Sequence, residues 1–316
     1  MGELMKILIT GGAGYLGSVL AGHLIEEGYE VTVFDNLMYR QTSLLHLFEH
    51  RHEFTFIRGD VRDNYNLVHL AEKHDVVIPL AAIVGMPACD ADTKLATDVN
   101  FGQIKTLVKT LSNDQQIILP NTNSQYGSSD NIITEESPFK PLSHYARTKC
   151  NAEDIMLEGG NGISLRLATV FGVSPRMRQD LLVNDFVYRS VTDGFLVLFE
   201  SHFKRNYIHV KDIARTFQFM IENYDDCSGE AFNVGLSTAN LSKLELAEKI
   251  KEYVPELVIV QNEFKKDFDQ RNYIVSNDKL ESHGWGPRFD LDFGIQTLIP
   301  AYEMMIKRNN REFTNL

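Results

Sequence analysis

The sequence predicts an α/β fold: a doubly wound parallel sheet followed by a smaller C-terminal lobe. Three observations predict it. Strand-length apolar runs alternate with helix-period segments through the first half, a glycine-rich turn follows the first run, and the alternation loses its regularity after about residue 170. The runs are "KILIT", "EVTVFD", "FTFIRGD", "DVVIPLAA", "QIILPN" and "GISLRLA". Such an order describes strands joined by right-handed crossover helices, each strand lying parallel to its neighbour. In the second half, "RNYIHVKDIARTFQFMIENY" and "LSKLELAEKIKEYV" read as the clearest helical stretches. Residues 1–168 are therefore expected to form the first domain and residues 169–316 mainly a second lobe, with some segments returning to the first domain. No repeat, low-complexity tract or linker separates the two.

The chain has 316 residues, 43% hydrophobic and 23% charged, which is ordinary for a soluble globular protein with a sizeable core. A net charge of -12 opposes non-specific binding to nucleic acid, itself a polyanion. Cys89, Cys150 and Cys227 stand apart, with no paired spacing and no histidine cluster, so neither a disulfide framework nor a metal site is expected. The apolar run in "MGELMKILIT" is too short for a signal or membrane segment and reads as a buried first strand. A cytoplasmic protein that engages no membrane is expected.

The segment "LITGGAGYLGSVLAGHLIEEG" places Gly11, Gly14 and Gly17 between the first strand and an amphipathic helix. Glycines there permit a tight turn, close approach of a pyrophosphate to backbone N–H groups, and tight packing of helix on strand. The second strand ends at Asp35, where a carboxylate can receive both ribose hydroxyls of an adenosine. The same carboxylate repels a 2′-phosphate, which favours NAD over NADP. The sheet is thus expected to be of the Rossmann type. The third strand ends in "GDVRD", where Asp60 has two readings: with Val61 it edges the adenine ring, or it caps the next helix.

Further along, "SHYARTK" sets Tyr145 and Lys149 four residues apart, on one face of a helix. With "TGGAGYLGS", "GDVRD", "LAA" at 80–82, Asn100, "NTNSQYG", "LRLATVFG", "RNYIHVKDIA" and "GWGP", the chain resembles the extended short-chain dehydrogenase/reductase family. These are the NAD-dependent nucleotide-sugar epimerases and dehydratases. The resemblance implies that Tyr145 is the catalytic base and that Lys149 holds the nicotinamide ribose and lowers the phenol pKa. By the same resemblance, Thr122 is expected to be the hydroxyl residue that binds the reacting sugar oxygen. It further implies cofactor contacts from Gly11, Gly14, Tyr15, Leu16, Gly17, Asp35, Asn36, Asp60, Val61, Leu80, Ala81, Ala82, Asn100, Tyr145 and Lys149. Helices near 93–111 and 144–158 correspond to a homodimer interface in the family.

Two positions narrow the reaction. The family's 4,6-dehydratases carry an acidic pair directly after the Thr122 position, whereas this chain has Asn123 and Ser124, which lack a carboxylate to move the proton. Oxidation of a sugar hydroxyl at C4 remains, with three outcomes: a 4-epimerase, a 4-dehydrogenase, or a keto-sugar reductase. A non-catalytic NAD-binding sensor is the competing class, and the intact Thr122, Tyr145 and Lys149 set argues against it. "PNTNSQYG" and the segment from "LRLATVFG" to "VYR" look closer to GDP-heptose 4-dehydrogenases of the family than to its UDP-sugar epimerases, which favours a GDP-sugar. Ser124, Asn184, Arg205 and Arg271 are the candidate substrate contacts, and Arg176 and Arg178 add local positive charge for a diphosphate. His209 reads as a packed structural histidine, and Met177, Met304 and Met305 as core or gap-filling residues.

Overall fold

The computed structural model describes residues 4–262 and 271–306. The chain begins β1 (Lys6–Thr10), α1 (Tyr15–Glu26), β2 (Glu30–Asp35), β3 (Phe54–Arg58), α2 (Asn64–Ala71) and β4 (Val76–Pro79). It continues through α3 (Met86–Ala91), α4 (Thr93–Thr97), α5 (Gln103–Thr110), β5 (Gln116–Thr122), β6 (Ile132–Ile133), α6 (His144–Glu158), β7 (Ile163–Leu167) and β8 (Thr169–Phe171). There follow α7 (Leu182–Thr192), β9 (Phe195–Phe199), β10 (Lys204–His209), α8 (Val210–Glu222), α9 (Tyr224–Cys227), β11 (Ala231–Val234) and β12 (Asn240–Ser242). The last elements are α10 (Lys243–Lys251), β13 (Val258–Asn262), β14 (Ile274–Val275), α11 (Asp278–Ser282) and α12 (Leu291–Ile306).

Seven strands form the main sheet in the order β11-β7-β5-β4-β1-β2-β3. β1 pairs in parallel with β2 and with β4, β2 with β3, and β4 with β5. The order reverses direction at β1 and β4, and at such a switch point the loops after the strand ends part to admit a ligand. The six apolar runs of the sequence supply β1 to β5 and β7. One core cluster joins Leu8, Val77, Ile117 and Leu119 of the sheet to Leu67 and Leu70 of α2, Ile104 and Leu107 of α5, and Ala152 and Met156 of α6. Between α4 and α5 the helix widens into a π turn over Asp98–Gly102, which carries Asn100. Such a turn inserts a residue and redirects the side chains that follow.

By its internal contacts the chain forms two compact units. The first comprises Met1–Gln125, Pro141–Arg166 and Ile213–Phe232; the second comprises Tyr126–Lys140, Leu167–Asp212 and Asn233–Leu316. The single boundary expected after residue 168 is therefore corrected in one respect, because residues 126–140 belong to the second unit. There β6 pairs in parallel with β14, and Tyr126, Ile133, Tyr273 and Val275 make a small core with Phe139 packed on it. A local reading could not foresee a pairing across some 140 residues of chain.

A second correction concerns "RNYIHVKDIARTFQFMIENY". Its first residues form strand β10, which pairs in parallel with β8 and antiparallel with β12, and only then does α8 begin. Tyr207 and Ile208 are β-favouring residues, buried with His209 in that small sheet, and tertiary pairing overrides the helical look of the stretch. "LSKLELAEKIKEYV" is helical where expected, and Ser242 and Glu245 close a reciprocal capping box at the start of α10. Met177 and Met305 are core residues, but Met304 is 72% exposed, on the outer face of α12. Cys89, Cys150 and Cys227 are buried thiols that form no disulfide. Among the described residues no helix is long and apolar enough to cross a membrane, and no cluster of side chains suited to a metal ion occurs.

Close packing in the second unit makes one glycine indispensable. A Cβ at Gly235 would stand 1.5 Å from Asn206 Oδ1, and Asn206 is fully buried, its Nδ2 donating to the Leu236 and Ala239 carbonyls. Gly235→Ala is expected to lower the urea midpoint by an amount equivalent to about 3 kcal/mol or more, because neither the asparagine nor its strand can retreat.

Candidate active site

The turn between β1 and α1 is shaped by what cannot fit there. Gly11 has a φ of +69°, and a Cβ on it would lie 2.6 Å from the Ala81 backbone. Gly17 sits on the first turn of α1, where a Cβ would lie 2.5 Å from Gly12 Cα. The helix thus rides directly on the turn, and the Leu80–Ala82 segment after β4 closes against it. Gly14 caps α1 without any side-chain hydrogen bond, and the first turn carries no acidic residue. That N-terminus presents backbone donors with no internal anion beside them, which suits a phosphate. Tyr15 is buried and Leu16 half-buried on the same turn.

Asp35 ends β2 beside this turn. Its Oδ2 accepts from Ala13 N at 3.0 Å and its Oδ1 from Leu37 N at 2.7 Å, so the carboxylate locks the glycine turn to the loop after β2. Burial pushes its pKa above the usual carboxylate range, and the two backbone donors oppose that rise. Asn36 Nδ2 donates to Asp60 Oδ2 at 3.2 Å, which ties the ends of β2 and β3 together. Arg62 grips Asp60 through Nε and Nη2 at 2.9 and 2.8 Å, and these bonds hold the Asp60 carboxyl down at about 2. The cap of α2 is Asp63, which accepts from Asn66 N, so the capping alternative for Asp60 falls away. Val61 is buried beside it.

Thr122 is the last residue of β5. Its hydroxyl accepts from Ser124 N at 3.2 Å and donates to Ser124 Oγ at 3.0 Å, which brings the two hydroxyls together in one turn. Asn123 between them is only 1% exposed and is turned away from solvent. On α6, Ser143 caps the helix by accepting from Ala146 N, and Tyr145 follows in the first turn, half-buried against the core. One turn later Lys149 is buried, and its Nζ donates to Pro120 O at 2.7 Å. Burial pushes the Lys149 ammonium down to about 8, with Cys89 and Glu153 acting the other way. Asn100, on the π turn, accepts from Ile83 N at 2.8 Å and donates to Ile83 O and Thr148 Oγ1 at 3.0 and 3.1 Å. It fastens the loop after β4 to α6.

The remaining candidates lie in the second unit. Arg205, 2% exposed on β10, stacks over Tyr273 with its guanidinium carbon 5.6 Å from the ring centroid. Arg271 lies two residues before Tyr273 and is half-buried. Asn184 is fully buried on α7; its Oδ1 accepts from Gly172 N at 3.1 Å and its Nδ2 donates to Arg178 O at 2.9 Å. It braces the loop that carries Arg176 and Arg178. Arg176 is itself buried, bonded to the Met177 carbonyl, while Arg178 pairs with Asp180 at 2.5 Å. His209 packs among Phe171, Phe289 and Phe293, and burial pushes its pKa down to about 4, as expected for a neutral structural histidine.

The sequence, compared with known families, matches the NAD dependent epimerase/dehydratase family over residues 7–235. The chain belongs to that family. It is similar to a CDP-paratose 2-epimerase of Salmonella typhi, 26% identical over 331 residues covering 93% of this chain and 98% of that protein. A UDP-glucose 4-epimerase of Halalkalibacterium halodurans is 28% identical over 313 residues, covering 90% of this chain and 91% of the relative. In fold, the chain matches a dTDP-glucose 4,6-dehydratase from Bacillus anthracis solved in complex with NAD. The TM-score is 0.80 at 22% identity, over 96% of this chain and 98% of that one. The α1 N-terminus without a side-chain cap, the glycine cradle and the desolvated Asp35 carboxylate fit the pyrophosphate and adenosine ribose of NAD.

Sequence reasoning missed two buried groups. Asp212, in "KDIA", receives the backbone N–H groups of Arg288 and Phe289, just after "GWGP", at 2.9 to 3.1 Å. Glu153 pairs with Arg166 behind Lys149; its spacing of eight from Tyr145 was the available signal. Burying the Lys149 ammonium has a cost with a definite pH dependence. Its folded pKa lies below its unfolded one, so the unfolded chain binds the extra proton between about 8 and 10.5, and stability rises with pH through that window. Lys149→Met is therefore expected to stabilise the protein at pH 7 by about 1–3 kcal/mol, a gain that shrinks above pH 8, measured by urea unfolding across pH.

Proposed function

We propose that the protein uses NAD to oxidise a nucleotide-activated sugar at C4, acting as a 4-dehydrogenase or a 4-epimerase. The observation that carries this reading is the buried Lys149 amine, tethered to the Pro120 carbonyl at 2.7 Å and one helical turn from Tyr145, beside the strand end that bears Thr122. An ammonium there favours phenolate over phenol and moves Tyr145 toward the pH range where proton transfer is useful. Tyr145 takes the proton of the sugar hydroxyl, and the Thr122 hydroxyl holds the reacting oxygen. Bound NAD supplies the hydride acceptor.

Dehydration is left out because Asn123 and Ser124 offer no carboxylate, and Asn123 is closed off from solvent. A GDP-sugar, GDP-heptose among the candidates, is the substrate we favour, on the likeness of the "PNTNSQYG" region to GDP-heptose 4-dehydrogenases. Ser124 is proposed to contact the sugar, and Arg205 and Arg271 the diphosphate. Arg176 and Arg178 add positive charge on the loop that Asn184 braces. A cytoplasmic homodimer formed through α4, α5 and α6 completes the proposal.

The deciding experiment incubates purified protein with GDP-, UDP-, dTDP- and CDP-sugars and follows NADH absorbance and product stereochemistry by NMR. A keto sugar with NADH accumulating identifies a dehydrogenase, and an isomeric sugar without net NADH an epimerase. Loss of the C6 hydroxyl, or no change in any sugar, would sink the proposal. Tyr145→Phe is expected to lower kcat by about 10² or more while NAD affinity by calorimetry stays close to wild type, since only the proton-transfer contribution is removed.

A further inference from the structure

Directly behind Thr122 and Lys149, in the same compact unit, lies a closed polar cluster to which the function above gives no part. Glu153, one turn after Lys149 on α6, is 1% exposed, and Arg166 on β7 is 6% exposed. Arg166 Nη2 stands 2.6 Å from Glu153 Oε1, and its Nε stands 3.1 and 3.2 Å from the two carboxylate oxygens. Ser164 Oγ donates to Oε2 at 2.5 Å, and Asn121 Nδ2 donates to the same oxygen at 2.8 Å. A buried ion pair of this kind is weak support for stability, because an apolar pair of the same shape serves as well or better. The cluster therefore calls for another reason.

The reason lies in what Asn121 touches. Its Nδ2 also points at Lys149 O, 3.3 Å away, and with that end drawn toward Glu153 the amide can offer only Oδ1 to Thr122 N, at 3.0 Å. One side chain thus fixes both the end of β5 and the backbone of Lys149. Resting on the function proposed above, we propose that Asn121, Glu153 and Arg166 are positioning residues. The ion pair sets the direction of the Asn121 amide, and the amide holds Thr122 and Lys149 in mutual register. The same arrangement acts on charge. The titratable groups that act on Lys149 are Cys89 on α3 and Glu153 on its own helix; burial pushes the Cys89 thiol up to about 11, so it stays neutral. The standing negative charge near the ammonium is that of Glu153, partly offset by Arg166.

Two readouts test this without any substrate. Lysines carrying ¹³C at the ε-carbon report the Lys149 titration, and hydrogen exchange reports the Thr122 amide. E153Q/R166Q removes both charges together and strands neither; N121A removes the joint; R166K keeps the pair. In E153Q/R166Q the Lys149 midpoint is expected to fall by about a few tenths of a pH unit, because Glu153 raises it and the simultaneous loss of Arg166 cancels only part of that effect. In both E153Q/R166Q and N121A the Thr122 amide is expected to exchange about tenfold faster or more. R166K keeps the charge but not the forked grip and should leave the Lys149 midpoint near wild type, and kcat should fall in the first two variants more than KM rises. A folded E153Q/R166Q with an unchanged Lys149 midpoint and an unchanged Thr122 exchange rate overturns the proposal. If the double variant does not fold, N121A decides through Thr122 exchange alone. Variants that behave as expected, in a protein that turns over none of the GDP-, UDP-, dTDP- or CDP-sugars, would uphold the positioning role and refute the functional reading.

Discussion

The ammonium of Lys149 is buried, and a buried charge requires close support from the groups around it. Its Nζ reaches the Pro120 carbonyl at the end of β5, so α6 cannot slide along the sheet without breaking that bond. Asn100 pins the loop after β4 to Thr148, one residue before Lys149, and the π turn over Asp98–Gly102 aims Asn100 there. The charge is destabilising in the folded state, a pattern common where a group is kept for chemistry rather than stability. Behind it, the Glu153–Arg166 pair occupies space that an apolar pair would fill.

The cofactor side of the first unit follows a different constraint, close approach of backbone to backbone. Gly11 and Gly17 are needed because a Cβ at either would enter the Ala81 or Gly12 backbone. Asp35 then performs two tasks at once. Its oxygens hold Ala13 N and Leu37 N, and the carboxylate stays partly desolvated at the end of β2, where the proposed adenosine ribose would meet it. An apolar residue at this position would release the glycine turn from the loop after β2.

In the second unit the candidate cations are held by their own surroundings. Arg205 leans on Tyr273, Arg178 pairs with Asp180, and Asn184 braces the intervening loop. Side chains braced in this way have already lost much of their rotamer freedom, so an anion would meet them at a small further entropic cost. Asp212 and the neutral His209 stabilise this unit from within, one by binding the backbone at 288–289 and the other by filling an aromatic cage.

The sequence by itself determined the parallel sheet, the glycine turn, the acid at the end of β2 and the Tyr145–Lys149 spacing. These are local patterns, a strand's apolar run or a helix's four-residue repeat, which depend on neighbours in the chain. It failed at "RNYIH", which looked helical, and at residues 126–140, which looked like part of the first domain. In both places long-range strand pairing decides the conformation, and local periodicity carries no information about a partner far away in sequence. Only the tertiary structure decided that Asp63 rather than Asp60 caps α2, that Asn184 faces inward, and that Asn121, Glu153 and Arg166 meet behind Thr122. Hydrogen bonds and burial of that kind come from three separate elements converging, and no single stretch of the chain contains them.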